Sequence, residues 1–476
     1  MRTVRIPLAV LGLSIASLGQ ASSQAASPQL TLPEAWQRVV QLDDNLAAGQ
    51  AAQARAAALL TDSNSLLLPQ IDLLGSYTRL DSPIEVDALA LNPLSGAADS
   101  IPGQLLVNLL GGPDAFRTPV TSRNVSRSSL ALFWPLYTGG KISSTRELLQ
   151  LGDREAELLL EEIRHARFLE LVLAYYGLVM AERMLATQEQ AEDTLSRHYA
   201  SAQAMEDEFQ IARVERLAAQ AAHDKARITT AALRDQRDGA RDALASMVHY
   251  QSNSLSATQQ GPQPDSRLFT IDNLPMLAEL QAGLNNHPGL QLLHTQRAQA
   301  ESVTRASRGL YQPNVFLFGS YNLYEDDSLA SDLTPDWLLG VGVRMPLVDR
   351  HGRRGRVQAA QSTVDEVGHL HSATRRKLEL LLDRQYREAR HALVEYRELA
   401  STLELAEETL RLQKLAFAEG LGRALDVVDA QTFLSATQTR RDTAAFRFVL
   451  SLAQVLSLSG HPEHLFVYLD QGEPIP

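Results

Sequence analysis

The chain of 476 residues contains no cysteine. That excludes disulfides, thiol catalysis and cysteine-ligated zinc. It also excludes an N-terminal lipid anchor that needs cysteine as the first mature residue. Aromatic residues are scarce, at 6%. Ala, Leu, Arg, Gln and Glu fill long stretches instead, which favours long helices and coiled coils over a compact mixed core. Beyond the N-terminal region no stretch runs to eighteen apolar residues, so any insertion into a membrane has to use β-strands. Basic charge is also short: 44 Lys and Arg stand against 56 Asp and Glu. A general nucleic-acid binder would need the opposite balance, and no nucleic acid is expected as a partner. The excess of acid fits many solvated helix faces.

What the chain does have begins at its N-terminus. Arg2 and Arg5 precede a mostly apolar run from Pro7 to Leu18, and a small-residue stretch ends at Ser23-Gln24-Ala25. A positive start, a short apolar run and a cleavage site are the parts of a secretory signal peptide, expected over residues 1–25.

An internal duplication follows. Leu68-Pro69-Gln70-Ile71-Asp72-Leu73-Leu74-Gly75-Ser76-Tyr77 matches Gln312-Pro313-Asn314-Val315-Phe316-Leu317-Phe318-Gly319-Ser320-Tyr321. Phe133-Trp134-Pro135-Leu136 matches Arg344-Met345-Pro346-Leu347, and Leu217-Ala218-Ala219-Gln220 matches Val428-Asp429-Ala430-Gln431. The separation falls from 244 at the first anchor to 211 at the other two, so the first copy carries an insertion between Tyr77 and Ser128. The expected repeats are 26–260, with a long external loop at 78–127, and 261–460. A C-terminal periplasmic tail at 461–476 follows them.

Each copy reads as helix, strand, strand, long helix, helix. The first helical segments, Leu32 to Leu67 and Met276 to Leu310, end near Pro69 and Pro313. A residue before proline is pushed out of the helical region, so these prolines mark the switch to a strand. Second strands are expected to end at Pro135 and Pro346. Helices of about 67 residues follow, from Lys141 to Asp207 and from Gly352 to Ala418, long enough at 1.5 Å per residue to span about 100 Å. In the last helix Ala424, Val427, Leu434, Ala445, Phe448, Leu452 and Val455 fall on one three-four spacing, a coiled-coil seam interrupted by Gln431, Gln438 and Arg441.

The strands discriminate between classes. Trp337, Leu339, Val341, Val343 and Met345 alternate with Gly340, Gly342 and Arg344. Leu130, Leu132 and Trp134 alternate with Ser129 and Ala131. Segments of about ten residues with one apolar face suit a membrane barrel. A periplasmic coiled-coil scaffold would be soluble, and these strands argue against it. Four strands cannot close a barrel, for which about eight is the minimum, and lipid does not tolerate open edges. Strands therefore have to be pooled between chains. Two chains give a barrel filled by its own side chains; three give one wide enough for water. A conduit needs the second.

These residues resemble the TolC family of outer-membrane efflux and secretion proteins across nearly the whole mature chain. The resemblance is carried by the duplication, by Pro-Leu-Tyr-Thr-Gly-Gly-Lys at 135–141 with Pro-Leu-Val-Asp-Arg-His-Gly-Arg at 346–353, and by Phe-Ala-Glu-Gly-Leu-Gly-Arg-Ala-Leu-Asp-Val-Val-Asp-Ala-Gln at 417–431. It implies a mainly α chain with a β membrane part: a coiled-coil helical barrel below a twelve-stranded membrane β-barrel, shared by a homotrimer. Such a duct sits in outer-membrane lipid and extends into the periplasm. There it meets a periplasmic adaptor protein and an inner-membrane pump of the RND or ABC type, passively conducting efflux or secretion substrates.

The same resemblance places candidate sites. Asp426 and Asp429 would line the pore constriction; three apart, they also read as acids stabilising a helix start. Gly420, Leu421, Gly422 and Arg423 would form the second periplasmic tip turn and meet the adaptor. Phe209 and Gln210 hold the matching place in the first copy, where the family usually has glycine. Pro69, Pro135, Pro313 and Pro346 would be strand–helix junctions, and Trp134 and Trp337 would mark the membrane interfaces. Arg350, Arg353, Arg354 and Arg356 suit a membrane edge with anionic head groups. Glu325, Asp326, Asp327, Asp332 and Asp336 read as a solvated loop. His461-Pro462-Glu463-His464 lacks the helical spacing of a zinc protease, and His369 and His371 point different ways. No nucleophile, phosphate loop or metal-ligand set emerges, so neither enzyme activity nor a cofactor or metal is expected.

Overall fold

The computed structural model describes residues 30–88, 104, 107, 117–250, 262–265, 267–326, 335–348 and 352–475. The expected signal peptide, the apolar run around 105–110 apart from Val107, and Asp327, Asp332 and Arg350 lie outside them.

The first helical segment is two helices, α1 (Leu32–Leu42) and α2 (Asp44–Asp62). A capping box opens α1: Thr31 Oγ1 accepts from Glu34 N–H and the Glu34 carboxylate accepts from Thr31 N–H. Asp43 breaks the run. Its Oδ1 accepts the N–H groups of Asn45 and Leu46 at 2.9 and 3.1 Å, and its other oxygen pairs with Arg167. Sheet strand β1 (Gln70–Arg79), the short ribbon β2 (Glu85–Asp87) with β3 (Arg117–Pro119), and β4 (Asn124–Tyr137) follow. The segment between the two sheet strands is therefore 80–123, shorter than the expected loop of 78–127. Then come α3 (Lys141–Asp207, 67 residues) and α4 (Arg213–Met247).

The second half begins with β5 (Phe269–Thr270), then α5 (Leu277–Gly283) and α6 (Pro288–Arg308). Strands β6 (Asn314–Glu325) and β7 (Trp337–Arg344) lead to α7 (Arg353–Ala418) and α8 (Ala424–Leu458). The break before α6 falls at His287, 244 residues after Asp43, and His287 Nδ1 accepts from Gly289 N–H at 3.1 Å. The same break is thus capped by an aspartate in one half and by a histidine in the other.

Long helix α3 packs on α2 and α6 toward the strands and on α4 and α8 beyond; α7 packs on α6 and α8. The seam of α8 is buried at Ala424, Val427, Ala445, Phe448, Leu452 and Val455, and Gln431 is buried with it. A main core gathers Trp36, Phe168, Tyr175, Tyr176, Phe269, Leu382 and Phe448, and a small one fills the hairpin ends with Ala202, Ala219, Leu410, Phe417 and Val427. Residues 461–475 form part of the folded body. After α9 (Leu465–Gln471), β8 (Glu473–Pro474) pairs with β5, Ile475 N–H donates to Leu268 O at 2.8 Å, and Arg183 donates to Ile475 O at 2.7 Å.

The four long strands form one antiparallel sheet in the order β1-β4-β6-β7. The strand ends expected at Pro135 and Pro346 need correction. Pro135 lies inside β4, which runs on to Tyr137, and Pro346 stands two residues past the end of β7. Pro135 is tolerated because β1 begins opposite Phe133 and so does not reach it, and the register with β6 shifts between Pro135 and Tyr137. Pro69 and Pro313 directly precede β1 and β6.

Candidate functional site

Two regions gather the candidate residues: the ends of the helical hairpins and the two faces of the sheet.

Helices α3 and α7 end in the same turn. Gly420 N–H donates to Phe417 O at 3.0 Å and Leu421 N–H to Ala416 O at 2.8 Å; Phe209 N–H donates to Glu206 O at 2.9 Å and Gln210 N–H to Met205 O at 2.8 Å. This helix stop places one residue in the left-handed region. That residue is Gly420 (φ 70°) in the second hairpin and Phe209 (φ 60°) in the first. The Phe209 side chain is 95% exposed. Gly422 does not have positive φ, and Ile211 stands in its place in the first hairpin, half-buried against the small core. Of the two glycines in this turn, only Gly420 uses glycine's freedom at positive φ.

Asp426 closes the first turn of α8. Its carboxylate accepts from Arg423 N–H at 3.1 Å and from the Arg423 guanidinium Nη2 at 2.7 Å. These bonds to Arg423 hold the Asp426 carboxyl below the usual carboxylate range. Asp429 is exposed one turn later. The matching carboxylate of the first hairpin, Glu215, lies 211 residues before Asp426 and takes a different partner: its Oε2 accepts Ala424 N–H at 2.7 Å. His198 Nε2 donates to Ala424 O at 3.1 Å while its ring meets Phe417 edge-on at 4.6 Å. Burial pushes the His198 pKa down. Ala424 is thus held on both sides by the other hairpin. Sequence reasoning missed both: the 211-residue repeat offset from Asp426 could have found Glu215, but nothing local gives its partner, and His198 has no signal at all.

The register sorts the sheet into two faces, because cross-strand partners share a side. One face carries Ile71, Leu73 and Tyr77, then Leu130, Leu132 and Trp134, then Val315, Leu317 and Tyr321, then Trp337, Leu339, Val341 and Val343. Among the described residues no helix covers it: Ile71, Leu73, Leu339, Val341 and Val343 are each 59–69% exposed. The opposite face is more polar but mixed: it carries Gln70, Asp72, Leu74 and Ser76, then Arg127, Ser129, Ala131 and Phe133, then Asn314, Phe316, Phe318, Ser320 and Asn322, then Leu338 and Arg344. Trp134, near the helical end, donates from Nε1 to Leu67 O at 2.8 Å, and Trp337 opens β7 at the other end. Arg353 donates to Leu310 O and Leu347 O, both at 3.2 Å, which ties the start of α7 to this junction.

Among the described residues no helix is long and apolar enough to cross a membrane, and no group of three or more His, Cys, Asp or Glu could hold a metal ion. No family model matches the chain. Protein CyaE of Bordetella pertussis is 25% identical over 315 residues, 65% of each chain. The matches to curated relatives span 34% and 65% of those proteins' lengths. Among solved structures, the outer membrane protein VceC of Vibrio cholerae aligns with a TM-score of 0.72 at 14% identity, over 90% of this chain and 96% of that one. The CmeC outer membrane channel of Campylobacter jejuni aligns at 0.69 and 16%, over 90% and 85%.

The fold is that of the TolC-family channels.

VceC is an outer membrane protein and CmeC an outer membrane channel. With so little identity, the likeness is one of architecture, and residue roles have to be argued from this chain's own geometry.

Proposed function

We propose that the chain is the outer-membrane exit duct of a tripartite efflux or secretion system, conducting substrates passively and catalysing no reaction. One observation carries this reading: a four-stranded sheet with an uncovered apolar face, a more polar opposite face and, among the described residues, unpaired edges at both β1 and β7. In water such a sheet exposes a large apolar patch and two aggregation-prone edges. In lipid the apolar face is solvated, but the edges have to be closed. Three copies joined edge to edge close them and leave the polar faces around water. Trp134 and Trp337, near opposite ends of the strands on the apolar face, suit the two membrane interfaces.

The helical hairpins then hang into the periplasm, and their tips are the surface for an adaptor and an inner-membrane pump. Phe209, Gln210, Gly420, Leu421, Gly422 and Arg423 form that end, with Phe209 and Leu421 95% and 85% exposed. Asp426 and Asp429 stand at the start of α8, where three copies would bring six carboxylates around one axis.

Membrane fractionation and detergent purification followed by mass determination test the assembly, and planar-bilayer recording tests conduction. A trimer from the outer membrane that conducts ions is the expected result. A monomer soluble without detergent, or a monomer that conducts, would overturn it.

A further inference from the structure

Three phenyl rings stand on the polar face of the sheet, where contact with lipid cannot account for them. Phe133 and Phe318 are cross-strand partners, and Phe316 faces Pro135 one step toward the helices. Ring centroids are 5.2 Å apart for Phe133–Phe316 and 6.0 Å for Phe316–Phe318. Side chains in a strand ordinarily stand away from the sheet, but the rings of Phe316 and Phe318 lean over β7. A Cβ on Gly342 would lie 2.5 Å from Phe316 Cζ, and one on Gly340 would lie 2.8 Å from Phe318 Cζ. Covering two glycines on an edge strand is a packing role. It does not explain Phe133, whose partners are Gln70 and Phe318 and whose side chain is 46% exposed.

The rings, not the charges around them, favour one kind of visitor. Asp72, cross-strand from Ala131, stands diagonally beside Phe133, with Gln70 Nε2 donating to it at 3.0 Å. At the far side of the cluster Arg344 faces Asn314, to which Lys141 donates at 3.3 Å. Charge around the cluster is therefore mixed, with Asp72 on one side and Arg344 and Lys141 on the other, and more distant charges are screened. Ring faces are electron-rich and ring edges electron-poor, so a solute bearing aromatic groups gains offset-stacked and edge-to-face contacts there.

We propose that Phe133, Phe316 and Phe318 form an aromatic patch in the lumen that selects solutes bearing aromatic groups among those passing through. This rests on the channel reading above, in which the polar face lines the water-filled passage. Each hydrated contact is weak, so the patch lengthens a visitor's stay without trapping it, as conduction requires.

The test is block of single channels of the purified protein by tetraphenylphosphonium, with tetraethylammonium as an aliphatic cation of equal charge. The triple variant F133L/F316L/F318L keeps an apolar cover over Gly340 and Gly342 while removing the rings. The half-blocking concentration of tetraphenylphosphonium should rise about tenfold, and that of tetraethylammonium, which has no aromatic groups to stack, by clearly less. An unchanged phosphonium block overturns the proposal. If the triple variant does not assemble, Phe133→Leu, which uncovers no glycine, should give about a threefold rise, and no rise overturns it. Ser320→Cys separates the two levels of argument, because the chain has no cysteine of its own. A charged thiol reagent that lowers conductance places Ser320 in the lumen; phosphonium block then decides for or against the patch alone. If the reagent never reaches the introduced thiol, the channel reading and the patch are overturned together.

Discussion

Exchanging the residues at Phe209 and Gly420 probes the tip most directly, because one backbone turn occurs twice with opposite residue choices. Both positions have positive φ, at 60° and 70°. A side chain in this region costs about 1–2 kcal/mol. Nothing lies within 4 Å of a Cβ built on Gly420, so Gly420→Ala would create no clash and the cost is conformational. Stiffening of the unfolded chain returns about 0.4–1 kcal/mol, which leaves a net loss near 1 kcal/mol. Phe209→Gly runs the other way. It relieves the backbone at Phe209 and forfeits little burial, since the side chain is 95% exposed. The added freedom of glycine in the unfolded state offsets about 0.5–1 kcal/mol of that. Hydrogen exchange of the amides that close the turns, Leu421 and Gln210, reads these local stabilities. With 1.4 kcal/mol per tenfold, Leu421 should exchange about fivefold faster in Gly420→Ala. Gln210 should exchange at the same rate or about fivefold slower in Phe209→Gly. Tenfold faster exchange at Gln210 would refute the reasoning, because the phenyl group would then be held by a contact that outweighs the backbone cost.

Glu215→Ala removes the acceptor of the buried Ala424 N–H and should cost about 1–3 kcal/mol by denaturant titration; Glu215→Gln should recover part of it, and equal losses would refute the clasp. Acid should loosen the body near α6. Burial, then the positive charges of His287, Arg164 and His461, push His165 down to about 4, and burial pushes His287 down. Folded pKa values below the usual 6.5 mean that this stability is complete above pH 6.5 and is lost as pH falls from there toward 4. His287→Asn keeps an acceptor for Gly289 N–H without titrating, so its melting temperature should fall less between pH 7 and pH 5; coincident profiles would sink the idea. Asp429→Asn should weaken cation selectivity in single-channel recordings at low salt, where screening is least. Asp426→Asn should do the same and also cost about 1 kcal/mol at the start of α8; an unaltered reversal potential in both would remove the carboxylates from the passage.

The architecture was legible because its signals are periodic and local. Helix α3 runs from Lys141 to Asp207 because the chain from Gly140 to the left-handed turn at Phe209 holds no proline. The alternation of Trp337 to Val343 with glycines and arginine placed the apolar face of β7 before any coordinates did. Asp43 and His287 broke helices that periodicity alone read as continuous; side-chain caps compete with a helix without disturbing its apolar spacing. Pro135 misled because proline ends a strand only where its missing N–H is needed, and β1 does not reach it.

What the sequence determined by itself was the repeat, the long helices, the amphipathic strands and the glycine of one tip, each read within a few neighbours along the chain. Only the tertiary structure paired Glu215 and His198 with Ala424, folded residues 465–475 back onto the core, and brought Phe133 beside Phe316 and Phe318. Glu215 stands 209 positions from Ala424, and His198 stands 226 from it. A separation that long leaves no local pattern. It is fixed by which helices pack and in what register the strands pair, and those are properties of the whole chain.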